Sequence, residues 1–193
     1  MHTNLLATLA NMSSSFKRVS PYVCEKLVSL FRRLVKRFTR ALSASNQAHN
    51  GQACTDQSDR VSEADTDVAS TVMDAAAHDL SIYEEVLRML LEIINSCLAS
   101  QMIHNPNLIY TLLYNCSIFE PFQSNPSFQD VLTNIELVIS YFTNQIKMQS
   151  QEETPSVAEV YRIIEESSKK WTSEKLKVCP LFCSPGGVYY IVY

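Results

Sequence analysis

The chain has 193 residues, of which 46% are hydrophobic and only three are glycine. This length is typical of one domain, and so little glycine disfavours an all-β fold, whose tight turns use it heavily. The net charge of −4 excludes a strong overall positive field that would attract nucleic acid. The composition therefore favours helices joined by short corners, an all-α fold.

The N-terminal sequence and the cysteines bear on the compartment. The opening MHTNLLATLANMSSS lacks the basic start and the long apolar stretch of a secretion signal. A run of about 18 apolar residues, which a membrane span needs, is not found. The six cysteines include no C-x-x-C pair, so free thiols in a reducing compartment are the default interpretation. We predict a cytoplasmic protein.

Residues 1–44 are predicted to form two helices. The first covers residues 4–15, and the second begins at Pro21 and continues to about Ala44. Along the second helix, aliphatic and aromatic residues fall on one side of a helical wheel and basic residues on the other. The basic residues are Lys26, Arg32, Arg33, Lys36, Arg37 and Arg40.

Residues 45–79 are polar, acidic and nearly free of large apolar groups. Such a segment buries too little surface to offset its ordering entropy, so we predict a disordered acidic linker. Its charge is −6, whereas residues 1–44 carry +7. The linker either folds back over the basic helix or stays solvated. The small contribution of exposed ion pairs favours the solvated state.

Residues 80–172 carry the pattern of a helical core. Ser81 and Glu84 form a capping box ahead of a helix that is apolar almost all round and must be buried. Two proline corners follow, and Thr154-Pro155 then opens a helix with a weaker apolar stripe. The corner residues are His104, Asn105, Pro106, Asn125 and Pro126.

Antiparallel helices in series, opened by prolines, are typical of an irregular α-solenoid of the HEAT or armadillo type. The alternative is a plain helical bundle, because the sequence contains no clean internal repeat. Asn105 is expected outside the helical region, since the following proline ends one helix and starts the next.

The sequence lacks the motifs of common catalytic sites. His104 has no Cys or His partner at a familiar zinc spacing, so a corner is the better interpretation. G-x-S-x-G, H-E-x-x-H and a phosphate-binding glycine loop are all absent. We predict a protein that is not an enzyme, with no catalytic residue, metal, cofactor or small-molecule substrate.

The basic helix suggests a particular partner chemistry. Arg and Lys opposite an aliphatic stripe suit anionic headgroups or the groove of calmodulin. The alternative is a helix that buries its apolar stripe and leaves its charges in water, and the narrow stripe favours it. Nucleic acid is not expected as a partner, because no aromatic residues interleave with the basic ones.

Several segments resemble one family. VLRMLLEIINSCL, HNPNLIYTLLY and PSFQDVLTNIELVISYF resemble the C-terminal part of dymeclins, and NLLATLANMSSSFK resembles the segment before it. Family members are several times longer, and the resemblance ends near residue 176. The chain is therefore expected to be a fragment or an alternative product with a divergent, unstructured tail over residues 173–193.

The resemblance implies a helical scaffold in Golgi organisation and intracellular vesicle trafficking. Its partners would be proteins of the trafficking machinery, and its location cytoplasmic with peripheral Golgi association. The family provides no catalytic residues to transfer to this chain. The alternative is a peripheral membrane-binding module that makes weak contact with anionic membranes through the basic helix at 22–44.

Overall fold

The structure is a computed structural model that describes residues 2–51, 63–123, 125–150 and 155–171. All regular structure in these ranges is helical, which confirms the predicted all-α fold. The α-helices are α1 (His2–Met12), α2 (Pro21–Gly51), α3 (Glu63–Gln101), α4 (Pro106–Leu113), α5 (Gln129–Gln149) and α6 (Val157–Lys170). Short 3₁₀ turns lie at Ser13–Ser15, Met102–His104, Cys116–Phe122 and Pro126–Phe128.

The predicted disordered linker over residues 45–79 is wrong for most of its length. α2 continues to Gly51, and α3 already begins at Glu63, so Ser81 lies inside a helix and does not cap one. Between residues 63 and 79 the chain has five alanines, the residue with the highest helix propensity, and acidic residues suit a helix start. The prediction relied on the absence of large apolar groups. Residues 52–62 and the predicted tail at 173–193 lie outside the described residues.

The described helices pack in two rows. α1 packs on α3 and α3 on α5, whereas α2 packs on α4 and α4 on α6. Between the two rows, α2 packs on α3, and α4 packs on α5. This order places a long helical hairpin next to a shorter helix pair. An α-solenoid is defined by repeated layers of similar helices. The two helix pairs differ greatly in length, so the α-solenoid stays a prediction.

Five phenylalanines form the aromatic centre of the core. Phe122 lies at its middle, with ring centroids 5.8 Å from Phe31, 5.8 Å from Phe38 and 4.9 Å from Phe128. The fifth ring, that of Phe119, packs on the ring of Phe31. The rings come from α2 and from the 3₁₀ turns after α4, so they join the two helix pairs.

Residues His78–His104 are long and apolar enough to cross a membrane by length and composition, with a mean hydropathy of 1.4. Most of this stretch belongs to α3, whose side chains Leu87, Leu91 and Ile94 are fully buried against the other helices. A core helix surrounded by neighbours has this composition. Packing within the fold therefore accounts for the hydropathy.

Arg88 joins α3 to the start of α5. Its guanidinium lies 2.7 Å from a carboxylate oxygen of Asp130 and 3.2 Å from one of Glu92. Burial raises the pKa of Glu92, and the charge of Arg88 opposes that shift. Burial also acts to raise the pKa of Asp130, but the hydrogen bond and charge of Arg88 outweigh it, so that pKa is lowered. The ion pair of Arg88 with Asp130 holds the start of α5 against the middle of α3.

Replacing Phe122 with alanine should lower the free energy of unfolding by about 3–5 kcal/mol, because the cavity cannot close between two helix pairs. Tyr22→Ala removes an exposed ring from α2 and should cost about 1 kcal/mol or less. Urea denaturation followed by circular dichroism measures both. Equal losses for the two variants would contradict the aromatic centre.

Candidate interaction surfaces

The first proline corner is built around the buried side chain of Asn105. Its Nδ2 donates to the carbonyl oxygens of Phe16 at 2.8 Å and Gln101 at 3.1 Å. Its Oδ1 accepts from the backbone N–H of Val19 at 3.1 Å. Asn105 has φ −124° and ψ 52°, outside the helical region as the following proline predicts. The residue therefore does more than start a helix: it ties the α1–α2 connection to the end of α3.

Further hydrogen bonds complete this junction. The backbone N–H of Arg18 donates to the carbonyl of His104 at 3.0 Å, and Asn107 Nδ2 donates to the carbonyl of Val19 at 2.9 Å. Arg18 adopts φ 56°, the left-handed region that is rare outside glycine. The junction holds this backbone in place. At this corner His104 ends the 3₁₀ turn Met102–His104, and Pro106 begins α4.

The second corner and the last helix start differ in how well the sequence predicts them. Asn125 Oδ1 accepts from the N–H of Ser127 at 3.0 Å, which confirms the cap ahead of Pro126, although a 3₁₀ turn precedes α5. At α6, Ser156 is the cap, accepting from the N–H of Glu159 at 3.2 Å. The predicted cap Thr154 lies outside the described residues. A serine next to the first helical residue was the overlooked signal.

The six basic residues predicted as a contact surface all lie exposed on α2. They occupy a sector about 140° wide at 100° per residue, opposite the buried stripe of Cys24, Val28, Phe31, Val35 and Phe38. The Arg32 guanidinium donates to Asn115 Oδ1 across the gap to α4, and Lys26 Nζ lies 5.1 Å from the Tyr22 ring centroid. The basic residues therefore form one continuous cationic face.

The apolar stripe of α2 is wider than its buried part. Val23 and Leu30 are 50% and 38% exposed, and Leu27 and Leu34 are half-buried. The prediction that packing covers the whole stripe is therefore correct for its centre and wrong for this edge. α1 also exposes Leu5, Leu9 and Met12, which share one face at the spacing i, i+4, i+7.

Two of the three cysteines in the described residues are inert by burial. Burial raises the pKa of Cys24 to about 11 and that of Cys97 to about 12, and Cys97 Sγ donates to the Ser13 carbonyl. Thiolate is scarce at neutral pH in such sites. Cys116 is exposed. Within the residues that the structure describes, no three His, Cys, Asp or Glu side chains converge as metal ligands would.

Two open grooves run along α5 where it faces α4 and the turn that follows. One measures about 320 Å³ and lies between Phe119 and Ile139, with Glu120 and Glu136 at its edge. The other measures about 200 Å³ and lies between Tyr114 and Ile146, with Lys147 at its edge. Both walls mix apolar and charged side chains.

The described residues thus define an all-α protein with a cationic face on α2, exposed apolar side chains and two shallow grooves. A family model described as "Dymeclin: Dyggve-Melchior-Clausen syndrome protein" matches residues 1–182. The chain therefore belongs to the dymeclin family. The match extends to residue 182, beyond residue 176, where the resemblance was expected to end.

Several curated relatives share this region. Dymeclin of Drosophila melanogaster is 40% identical over 181 residues, and dymeclin of Rattus norvegicus is 41% identical over 180 residues; each alignment covers 93% of this chain and 24% of the relative. Dymeclin of Dictyostelium discoideum is 26% identical over 88% of this chain. The chain thus spans about a quarter of the length of these curated relatives. No solved structure matches it.

Replacing Asn105 with aspartate should lower the free energy of unfolding by about 3–5 kcal/mol at pH 7, because a buried charge replaces two hydrogen-bond donors. The loss should be smaller near pH 4, where a protonated carboxyl regains one donor. Asn11→Asp makes the same chemical change at an exposed position of α1 and serves as the control. Denaturation curves at both pH values measure the effect; a loss equal to that of Asn11→Asp would disprove the junction.

Proposed function

We propose that this protein is a non-enzymatic scaffold that acts in Golgi organisation and intracellular vesicle trafficking through contacts with other proteins. Membership of the dymeclin family supports the proposal, together with the role that the resemblance implies. Its partners are proteins of the trafficking machinery, and its place is the cytoplasm with peripheral association at the Golgi.

The observation that carries the proposal is the division of the side chains between core and surface. The aliphatic and phenylalanine side chains of α3, α5 and the intervening turns are buried against one another. The charged side chains of α2 and α6 lie outside, next to exposed apolar residues. Such a surface is available for protein partners, because charged rims around apolar residues are typical of protein interfaces.

A tagged version of the chain should concentrate at the Golgi in fixed cells, and high salt applied before fixation should release it, as peripheral association through protein contacts requires. The matched control is the same tagged chain carrying the destabilising Phe122→Ala, which we expect to be less concentrated at the Golgi. Fluorescence microscopy with a Golgi marker measures the overlap. A uniform distribution of the unaltered chain would contradict the Golgi assignment.

A second candidate function is a peripheral membrane-binding module acting through α2. The specific observation in its favour is the cationic face, whose six residues are all exposed and able to meet anionic headgroups. A basic face next to apolar side chains is typical of helices that lie in the membrane interface. The fold weakens this candidate, because the most apolar side of α2 is buried and cannot enter the bilayer.

Vesicle flotation separates the two candidates. If α2 binds membranes, the chain should float with phosphatidylserine vesicles, and glutamate at Arg32, Arg33, Lys36 and Arg37 should abolish flotation, since each basic residue contributes about 1 kcal/mol. The scaffold proposal expects no flotation by either protein. Neutral phosphatidylcholine vesicles are the control, and flotation with them would point to non-specific sticking.

A further inference from the structure

We propose that the exposed edge of α2 is a docking position for one amphipathic helix of a protein partner, with an aliphatic face and acidic residues along its flank. This inference rests on the proposed scaffold function and names the class of partner that the surface fits. It starts from the order of the helices in the two rows.

In the row that contains α2, each helix packs on the next, from α2 to α4 to α6. The parallel row begins one step earlier, since α1 packs on α3 before α3 packs on α5. Among the described residues, the position beside α2 and across from α1 holds no helix. Both helices that border it expose apolar side chains.

The α2 side of this position is an aliphatic strip. Val23, Leu27, Leu30 and Leu34 fall within a sector about 60° wide, immediately beside the buried stripe of the helix. Arg32 lies on the other side of that stripe and reaches Asn115 at the end of α4. The strip therefore faces away from α4, toward the open position. Aliphatic side chains recurring three and four residues apart are what a second helix packs against.

The outer border of the strip is basic from Lys26 to Arg37. Lys26, Arg33 and Arg37 fall within the next sector, about 40° wide, and all three are exposed. Glu25, the one acidic residue in the sequence of α2, lies on the opposite flank. A helix seated on the strip would place its own flank against these three cations.

Charge complementarity identifies the occupant. An acidic flank would pair with the three basic residues, whereas a basic flank would be repelled. A second copy of this chain using the same edge would bring two cationic borders together, which disfavours a symmetric dimer. The partner is therefore an aliphatic helix with an acidic flank, and not a second copy of this chain.

The test uses two labelled synthetic helices of about 18 residues, with the same leucine face and with either glutamate or lysine along the flank. Fluorescence anisotropy on the full chain should show saturable binding of the glutamate helix and at least about tenfold weaker binding of the lysine helix. Equal affinity of the two helices would overturn the proposal.

Two sets of variants locate the binding. Glutamate at Lys26, Arg33 and Arg37 should weaken the glutamate helix roughly tenfold and strengthen the lysine helix. Glutamate at Lys36, Lys169 and Lys170 makes the same change in net charge elsewhere on the exposed surface and should leave both affinities unchanged. Leu30→Asp should abolish binding, whereas Leu42→Asp, also exposed on α2 but outside the strip, should not. Loss of binding in the control variants would overturn the assignment.

Two further measurements test the source of the helix. Light scattering that shows a dimer, with Leu30→Cys protected from a maleimide, would assign the edge to a second copy and overturn the proposal. The same variant can be made in the longest product of the gene, purified alone. Protection of Leu30→Cys there would also overturn the proposal, because another segment of the same polypeptide would fill the position. Free reaction in both cases supports a separate partner. None of these results depends on where the protein lies in the cell. The docking proposal and the scaffold proposal can therefore fail independently of each other.

Discussion

The side-chain amide of Asn105 bonds the carbonyl of Phe16 and the N–H of Val19, which lie 89 and 86 residues before it in the sequence. A buried amide whose donors and acceptor are all used leaves little freedom to the groups it touches. The α1–α2 connection is therefore fixed to the end of α3. The position of the cationic face relative to α4 and α5 follows from this junction.

The aromatic centre continues what the junction begins. Once the start of α2 is held beside the end of α3, Phe31 and Phe38 lie where Phe122 can pack between them. Phe122 comes from a short 3₁₀ turn, which gains little stability from its own backbone bonds. That turn is ordered by its side chains. The aromatic centre and the Asn105 junction thus stabilise each other, and together they fix the position of the surface residues of α2.

Local signals in the sequence predicted the helices well and their partners poorly. The helical class, the start of α2 at Pro21 and the cap at Asn125 follow from periodicity and capping, which act over a few residues. The role of Asn105 depends on groups more than eighty residues away, and nothing in its own neighbourhood indicates them. The acidic linker differs from its prediction for another reason, because its alanines favour a helix although the segment has few apolar side chains.

The candidate surface shows the same limit. A helical wheel places the basic residues of α2 correctly, because their side is set by the helix alone. The wheel cannot divide the apolar side into a part that neighbours cover and a part that they leave open. That division depends on which side of α2 carries α4, and it leaves Leu30 exposed while Phe31 is core. Since the buried half cannot reach a bilayer, the open edge and its cations fit a helix better than a membrane.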